Sequence, residues 1–232
     1  MTALPLALDD APGAARPARA EHAYQHLRTA LLEGPLGPGD ALSVVALTRE
    51  LGCSRVPVME ALKRLAGEGF VDIVPQVGCR VARPDGAEVR DFFTLFAAAE
   101  GTVTAFAAAR RDAAGLAEFA EVCAAVDAGL ARARPPGAAD PTYRRLNLLF
   151  HGCIHRLAQS PLATALARGL WDRSDFYIKV AFGSLYFSHR VRTAHAAIRA
   201  AIVAGDAAAA EQATRAHLAA VGTAVAAALA PR

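Results

Sequence analysis

Three histidines in the second half of the chain have side chains that can hold a metal ion: His151, His195 and His217. Asn147 stands four residues before His151. That is one helical turn, so both side chains project from one face. His195 precedes Ile198 and Ile202 at helical spacing, and His217 is followed by Leu218 and Val221. Imidazole nitrogens suit Zn, Ni, Cu or Fe. From the residues alone two readings stay open: metal ligands, or hydrogen-bonded histidines of a helical core. His155, one turn past His151, offers a rival ligand but reads as a helix-surface residue. His22 and His26, spaced i,i+4, read as an ordinary exposed pair.

A second group can read nucleic acid. Within the run from Leu42, a short helix is stopped by Gly52, and another begins at Ser54, whose hydroxyl can cap the first free N–H groups. Pro57 fits the first turn, where its missing N–H costs nothing. Val58, Leu62 and Leu65 make the buried face. Arg55, Met59 and Lys63 are left one turn apart on the outer face, the presentation that fits a DNA major groove. After Gly69, two short apolar runs flank Pro75-Gln76-Val77-Gly78, a hairpin wing. Arg49, Arg64 and Arg80 complete a local basic cluster, with Gln76 and Gly78 at the wing tip.

These elements must sit on a mostly helical chain. At 232 residues, one large or two small domains are expected. Hydrophobic content is 54%, much of it Ala, a strong helix former. The fold class is therefore mostly α, with an N-terminal winged helix-turn-helix and a C-terminal all-α bundle of six or seven helices. Residues 1–19 read as a disordered tail, 20–83 as the DNA-binding domain and 84–232 as the bundle. The first helix spans about Glu21 to Leu32, and Arg83-Pro84-Asp85-Gly86 is the linker. Asp85 with Glu88 resembles a capping box. Later segments run about 87–110, 113–133, 140–159, 161–182, 187–204 and 206–228. Cys53, Cys79, Cys123 and Cys153 form no CxxC pair and read as free thiols of a reducing cytosol. No signal peptide is expected, and no apolar run approaches a membrane span, so the chain reads as cytoplasmic with no membrane partner.

The ordered set Pro38-Gly39, Ser54-Arg55-Val56-Pro57-Val58, Glu60-Ala61-Leu62-Lys63-Arg64-Leu65, Glu68-Gly69 and Gly78-Cys79-Arg80-Val81 resembles the DNA-binding domain of the GntR superfamily of bacterial transcriptional regulators. The second half resembles the FCD domain of that superfamily's FadR-like branch. It carries Asn147-Leu148-Leu149-Phe150-His151, then His195-Ala196-Ala197-Ile198, Ala201-Ile202, Gly205-Asp206 and His217-Leu218. The resemblance implies a homodimeric transcription factor bound to a double-stranded operator with an inverted repeat. It implies a divalent transition metal, Zn or Ni foremost, on Asn147, His151, His195 and His217. It also implies a small organic acid effector beside the metal. A carboxylate needs an arginine fork, and Arg173 with Tyr177, or Arg192, can supply it. Phe96, near Phe92 and Phe93, lies where relatives often place a pocket arginine, which makes the pocket more apolar. A regulator that has lost the metal is the alternative. A metal-dependent hydrolase fused to a DNA-binding module is the distant one, and no general base is evident beside the ligands.

Two departures bear on DNA binding. Relatives often carry arginine at the positions of Met59 and Val45. Residues 1–82 hold eight Lys or Arg against nine Asp or Glu, so the positive net charge of the chain, +3, comes from the other half, which carries +4. A monomer with so small a basic footprint needs a second copy to add phosphate contacts. Met59→Arg adds a cation on the outer helix face. It is expected to raise duplex affinity and steepen its dependence on salt; an unchanged slope in a salt titration would place residue 59 away from the DNA.

Overall fold

The computed structural model describes residues 16–132, 142–183 and 189–230. The expected tail up to residue 15, the loop Arg134–Gly137, the helix start at Asp140-Pro141 and the break at Ser184 lie outside the described residues. The chain divides into two compact units, Met1–Ala82 and Arg83–Arg232.

The first unit runs α1 (Arg16–Leu32), β1 (Ala41–Leu42), α2 (Val44–Glu50), α3 (Arg55–Gly67), β2 (Val71–Val74) and β3 (Gly78–Val81). α1 begins five residues before the expected Glu21, so residues 16–19 are helical rather than tail. Gly52 turns the chain between α2 and α3 at φ +58°, a conformation that costs glycine no Cβ clash. Ser43 caps α2, its Oγ accepting from the Ala46 N–H at 3.2 Å. Ser54 takes the N-cap position of α3 in extended conformation, but its hydroxyl makes no capping bond, a correction to the sequence reading. Val58, Leu62 and Leu65 are buried as the spacing predicts, as are Leu27 and Leu31 of α1, the helix that packs against α3. The sheet order is β1-β3-β2, antiparallel, with Val71 opposite Val81 and Val74 opposite Gly78. This hairpin is the wing.

The second unit is all helical among the described residues: α4 (Gly86–Arg110), α5 (Ala113–Arg132), α6 (Thr142–Leu157), α7 (Pro161–Phe182), α8 (His189–Ala204) and α9 (Ala207–Ala228). Asp85 caps α4, accepting from the N–H groups of Ala87 and Glu88 at 2.8 Å. Glu88 does not complete a capping box; its carboxylate goes to Arg173 and Tyr177. Gly183 and Gly205 close α7 and α8 in left-handed conformation. α4 is long and apolar enough to cross a membrane by length and composition, contrary to the sequence reading. It is instead the central helix of the unit, with more than half of that stretch buried, packed against α6, α7, α8 and most extensively α9.

Alanine and glycine let these helices approach closely. At Gly222 of α9, an added Cβ would run into the Cβ of Phe93 on α4. A Cβ cannot rotate away, so the backbones would have to part. Gly222→Val is expected to destabilise the protein by about 2 kcal/mol in urea unfolding. Unchanged or higher stability would mean the α4–α9 contact can widen freely.

Candidate metal centre and nucleic-acid face

Three helices bring the ring nitrogens together. α6 supplies His151, α8 His195 and α9 His217, and their ligand atoms all lie within 4.8 Å of one another. α6 also places Asn147 one turn before His151, buried like it. The His195 ring meets His151 and His217 edge to face, with centroids 5.2 and 5.0 Å apart. Phe150 stacks on His195 at 4.5 Å with planes 12° apart. Trp171 of α7 lies 4.0 Å from the His151 ring.

Burial keeps these imidazoles neutral. It depresses the pKa of His151 well below 6.5, with His195, His217 and His155 adding to the effect. Burial and then His217 push His195 down to about 3, and burial pushes His217 down to about 4. Neutral imidazole is the form that binds metal. Both ring nitrogens of His151 are buried without a hydrogen-bond partner in the protein. An orphaned buried polar atom is costly unless something satisfies it. A divalent ion suits this cluster in chemistry, since neutral imidazole nitrogens brought within 4.8 Å of one another are the donors such an ion takes.

The structure corrects the reading of His155. It is buried, and its Nε2 lies 2.8 Å from Oε1 of Glu100 on α4. The same oxygen accepts from Trp171 Nε1 at 2.6 Å. Glu100 thus holds the indole that lies on His151. Neither Glu100 nor Trp171 stood out in the sequence. A signal was present: Phe92, Phe96 and Glu100 recur at i, i+4 and i+8, which places an acid on an apolar face.

The effector candidates fare unequally. Phe96 is fully buried and meets Trp171 edge to face at 4.8 Å, so it is core packing. Arg173 does lie beside Tyr177, its Nε donating to the phenol oxygen at 2.6 Å. Both then reach Glu88, at 2.7 and 2.6 Å. The protein's own carboxylate therefore fills that fork. Arg192 is exposed and lines a groove beside His195.

In the first unit, Arg55 and Lys63 of α3 are exposed and Met59 is half-buried between them. Arg49 on α2 is exposed too, as are Gln76 and Gly78 at the wing tip. Arg80 lies 3.6 Å from Asp72 across the hairpin. Arg64 departs from its expected place on the DNA face. It turns toward α1, pairs with Glu21 at 2.7 Å and Glu68 at 3.2 Å, and lies over the Tyr24 ring.

Residues 19–81 match the family of bacterial regulatory proteins named gntR, and residues 91–220 match the FCD domain. An HTH-type transcriptional regulator in an unstable DNA locus of Streptomyces ambofaciens is 46% identical over 68 residues, 29% of each chain. An HTH-type transcriptional regulator in an intergenic region of Agrobacterium vitis is 32% identical over 83 residues, 36% of this chain and 48% of that one. These matches span less than half the length of either relative. E. coli McbR/YncC superposes with a TM-score of 0.69 at 20% identity, covering 86% of this chain and 93% of that one. A transcriptional regulator GntR from Rhodococcus sp. RHA1 gives 0.71 at 22%, covering 93% and 100%. At that identity the likeness is one of fold.

The depressed histidines set a pH dependence. In the unfolded chain each imidazole takes a proton near 6.5; in the folded, metal-free protein His217 and His195 do so only near 4 and 3. Above about 6.5 both states are neutral and nothing is lost. As pH falls through the window from about 6.5 toward 4, the unfolded state alone gains protons, at about 1.4 kcal/mol per pH unit per ring. Chelator-treated protein is expected to lose about 3–4 kcal/mol of unfolding free energy between about pH 7 and about pH 5. Equal stability at the two values would mean the rings are hydrated.

Proposed function

Because the chain belongs to the gntR family of bacterial regulatory proteins and carries an FCD domain, we propose that it is a cytoplasmic, homodimeric transcription factor controlled by a small organic acid. The observation that carries the sensing half is the meeting of His151, His195 and His217 from three separate helices within 4.8 Å. Asn147, His151, His195 and His217 would hold one divalent transition metal, Zn or Ni. A bound ion would act as a Lewis acid toward an anionic effector oxygen.

The residues themselves set the character of that site. Three imidazoles and an amide carry no charge, so no ligand offsets the two positive charges of the ion. Such a centre traps cations less tightly than one with a carboxylate ligand, and draws an anion more strongly. The DNA-reading half rests on the exposed Arg55 and Lys63 of α3, with Arg49, Ser54, Met59, Gln76, Gly78 and Arg80 around them. Two copies on an inverted repeat add their phosphate contacts. An effector controls such a dimer only through unequal affinity for its two states.

Two measurements test this reading. Arg55→Ala is expected to weaken operator binding by about 1–3 kcal/mol in a gel-shift titration. Unaltered binding would remove Arg55 from the DNA face. Untagged protein dialysed against Zn or Ni is expected to hold about one ion per chain by elemental analysis, and His195→Ala to hold little. A chelator is expected to lower the melting temperature of the parent. If no ion approaches one equivalent, the metal reading fails and the histidines are core residues.

A further inference from the structure

Trp171 lies against the His151 ring on one side of the histidine cluster. Phe92, Phe96 and Trp171 fill the α4 side, and Glu88 occupies the fork of Arg173. A different space lies on the far side of His195. A groove of about 610 Å³ runs between α5 and α8, and its lining includes Phe150 and His195 but neither His151 nor His217. Clefts of about 300–1,000 Å³ are the usual size for small-molecule sites.

The groove is built from two helix faces. On α5, Cys123, Val126 and Leu130 recur at i, i+3 and i+7 and form an apolar wall. On α8, Arg192, His195 and Arg199 have the same spacing and form a polar one, with Val203 a turn beyond Arg199. Cys123, Val126, Phe150 and His195 are buried and form the floor; Arg192 and Val203 are exposed at the mouth. Asp127 is the acid among the lining residues, against two arginines. Its contact with Arg199 is long, 3.4 Å, with Asp127 well exposed and Arg199 partly so. A carboxylate can replace such a pairing at little cost.

We propose that this groove binds an amphiphilic anion, a monocarboxylate with a medium-length aliphatic chain or an aryl group. Its carboxylate lies on Arg192 and Arg199, and its hydrocarbon lies over Val126, Phe150 and Val203. This rests on reading the helical unit as the effector sensor, and it adds a binding site for a second ligand beside the metal-linked one proposed above. The site adjoins the cluster of ring nitrogens at His195, whose ring stacks on Phe150. An apolar body pressed on Phe150 acts on the ring that lies flat against His195. Occupation of the groove and the setting of His195 are thereby linked, and any such linkage is reciprocal.

Calorimetric titration of the full chain with decanoate, below the concentration at which it forms micelles, tests this. The parent, stripped with EDTA, is expected to bind about one decanoate per chain saturably, whereas acetate shows no binding. Arg192→Ala with Arg199→Ala should weaken decanoate binding at least tenfold. Ala200→Trp, which fills the groove from α8, should abolish it. Both variants must keep the helical content of the parent; the arginine pair is exposed enough to serve if the Trp variant does not fold. Undiminished binding in the arginine variant, multiple weak sites, or no binding by the parent would each overturn the proposal. Binding that requires added metal would overturn it too, placing the acid at the histidine cluster and leaving the sensor reading intact. Gel shifts of the parent on its operator read the regulatory function separately.

Discussion

Burying a polar nitrogen with no partner costs about 1–3 kcal/mol, and His151 carries two of them. The helical unit accepts that cost at the meeting point of three helices. The rest of its architecture serves to hold the rings there. α4 runs through the centre, and α9 lies so close to it at Gly222 that a side chain would not fit. Alanine on α8 and α9 permits the approach that brings His195 and His217 to His151. Trp171 fixes one side of His151 and is itself fixed by Glu100. Phe150 fixes His195 from the other side. A crowded, buried cluster of imidazoles with depressed pKa values is the result.

Charge is distributed around this pocket in an uneven way. The four candidate ligands carry none. A buried carboxylate, Glu100, stands one indole away, with the His155 ring on the same oxygen. Phe96 fills a place where an arginine would bring a cation inward. Arg144 on α6 is held by Asp172 and Asp175, and Arg173 by Tyr177 and Glu88.

The winged unit shows a related economy. Its charge is close to balanced, and one of its arginines is taken up internally: Arg64 joins α3 to α1 through Glu21, Glu68 and the face of Tyr24. His26 likewise ties α1 to Glu50 of α2. Arg49, Arg55, Lys63 and Arg80 are the cations left facing outward on α2, α3 and the wing.

Much of this was legible in the residues because local chemistry decides it. Helix ends at Asp85, Gly183, Gly205 and Asp206 follow from capping and glycine conformation. The buried faces of α3 and the hairpin wing follow from periodicity. The ordered motifs brought the three histidines to attention, although spacing alone left them open between core and ligand. What sequence could not decide is how side chains far apart in the chain divide their partners. Arg64 and Arg173 each had a plausible outward role, and each is captured by an acid remote in sequence. His155 looked like surface until α4 placed Glu100 against it. Ser54 had the right type for a cap, and its position alone did not orient the hydroxyl. Local structure is set within a few residues by backbone sterics and hydrogen bonding. The allocation of charges, and the groove beside His195, come into being only when helices distant in the chain are packed together.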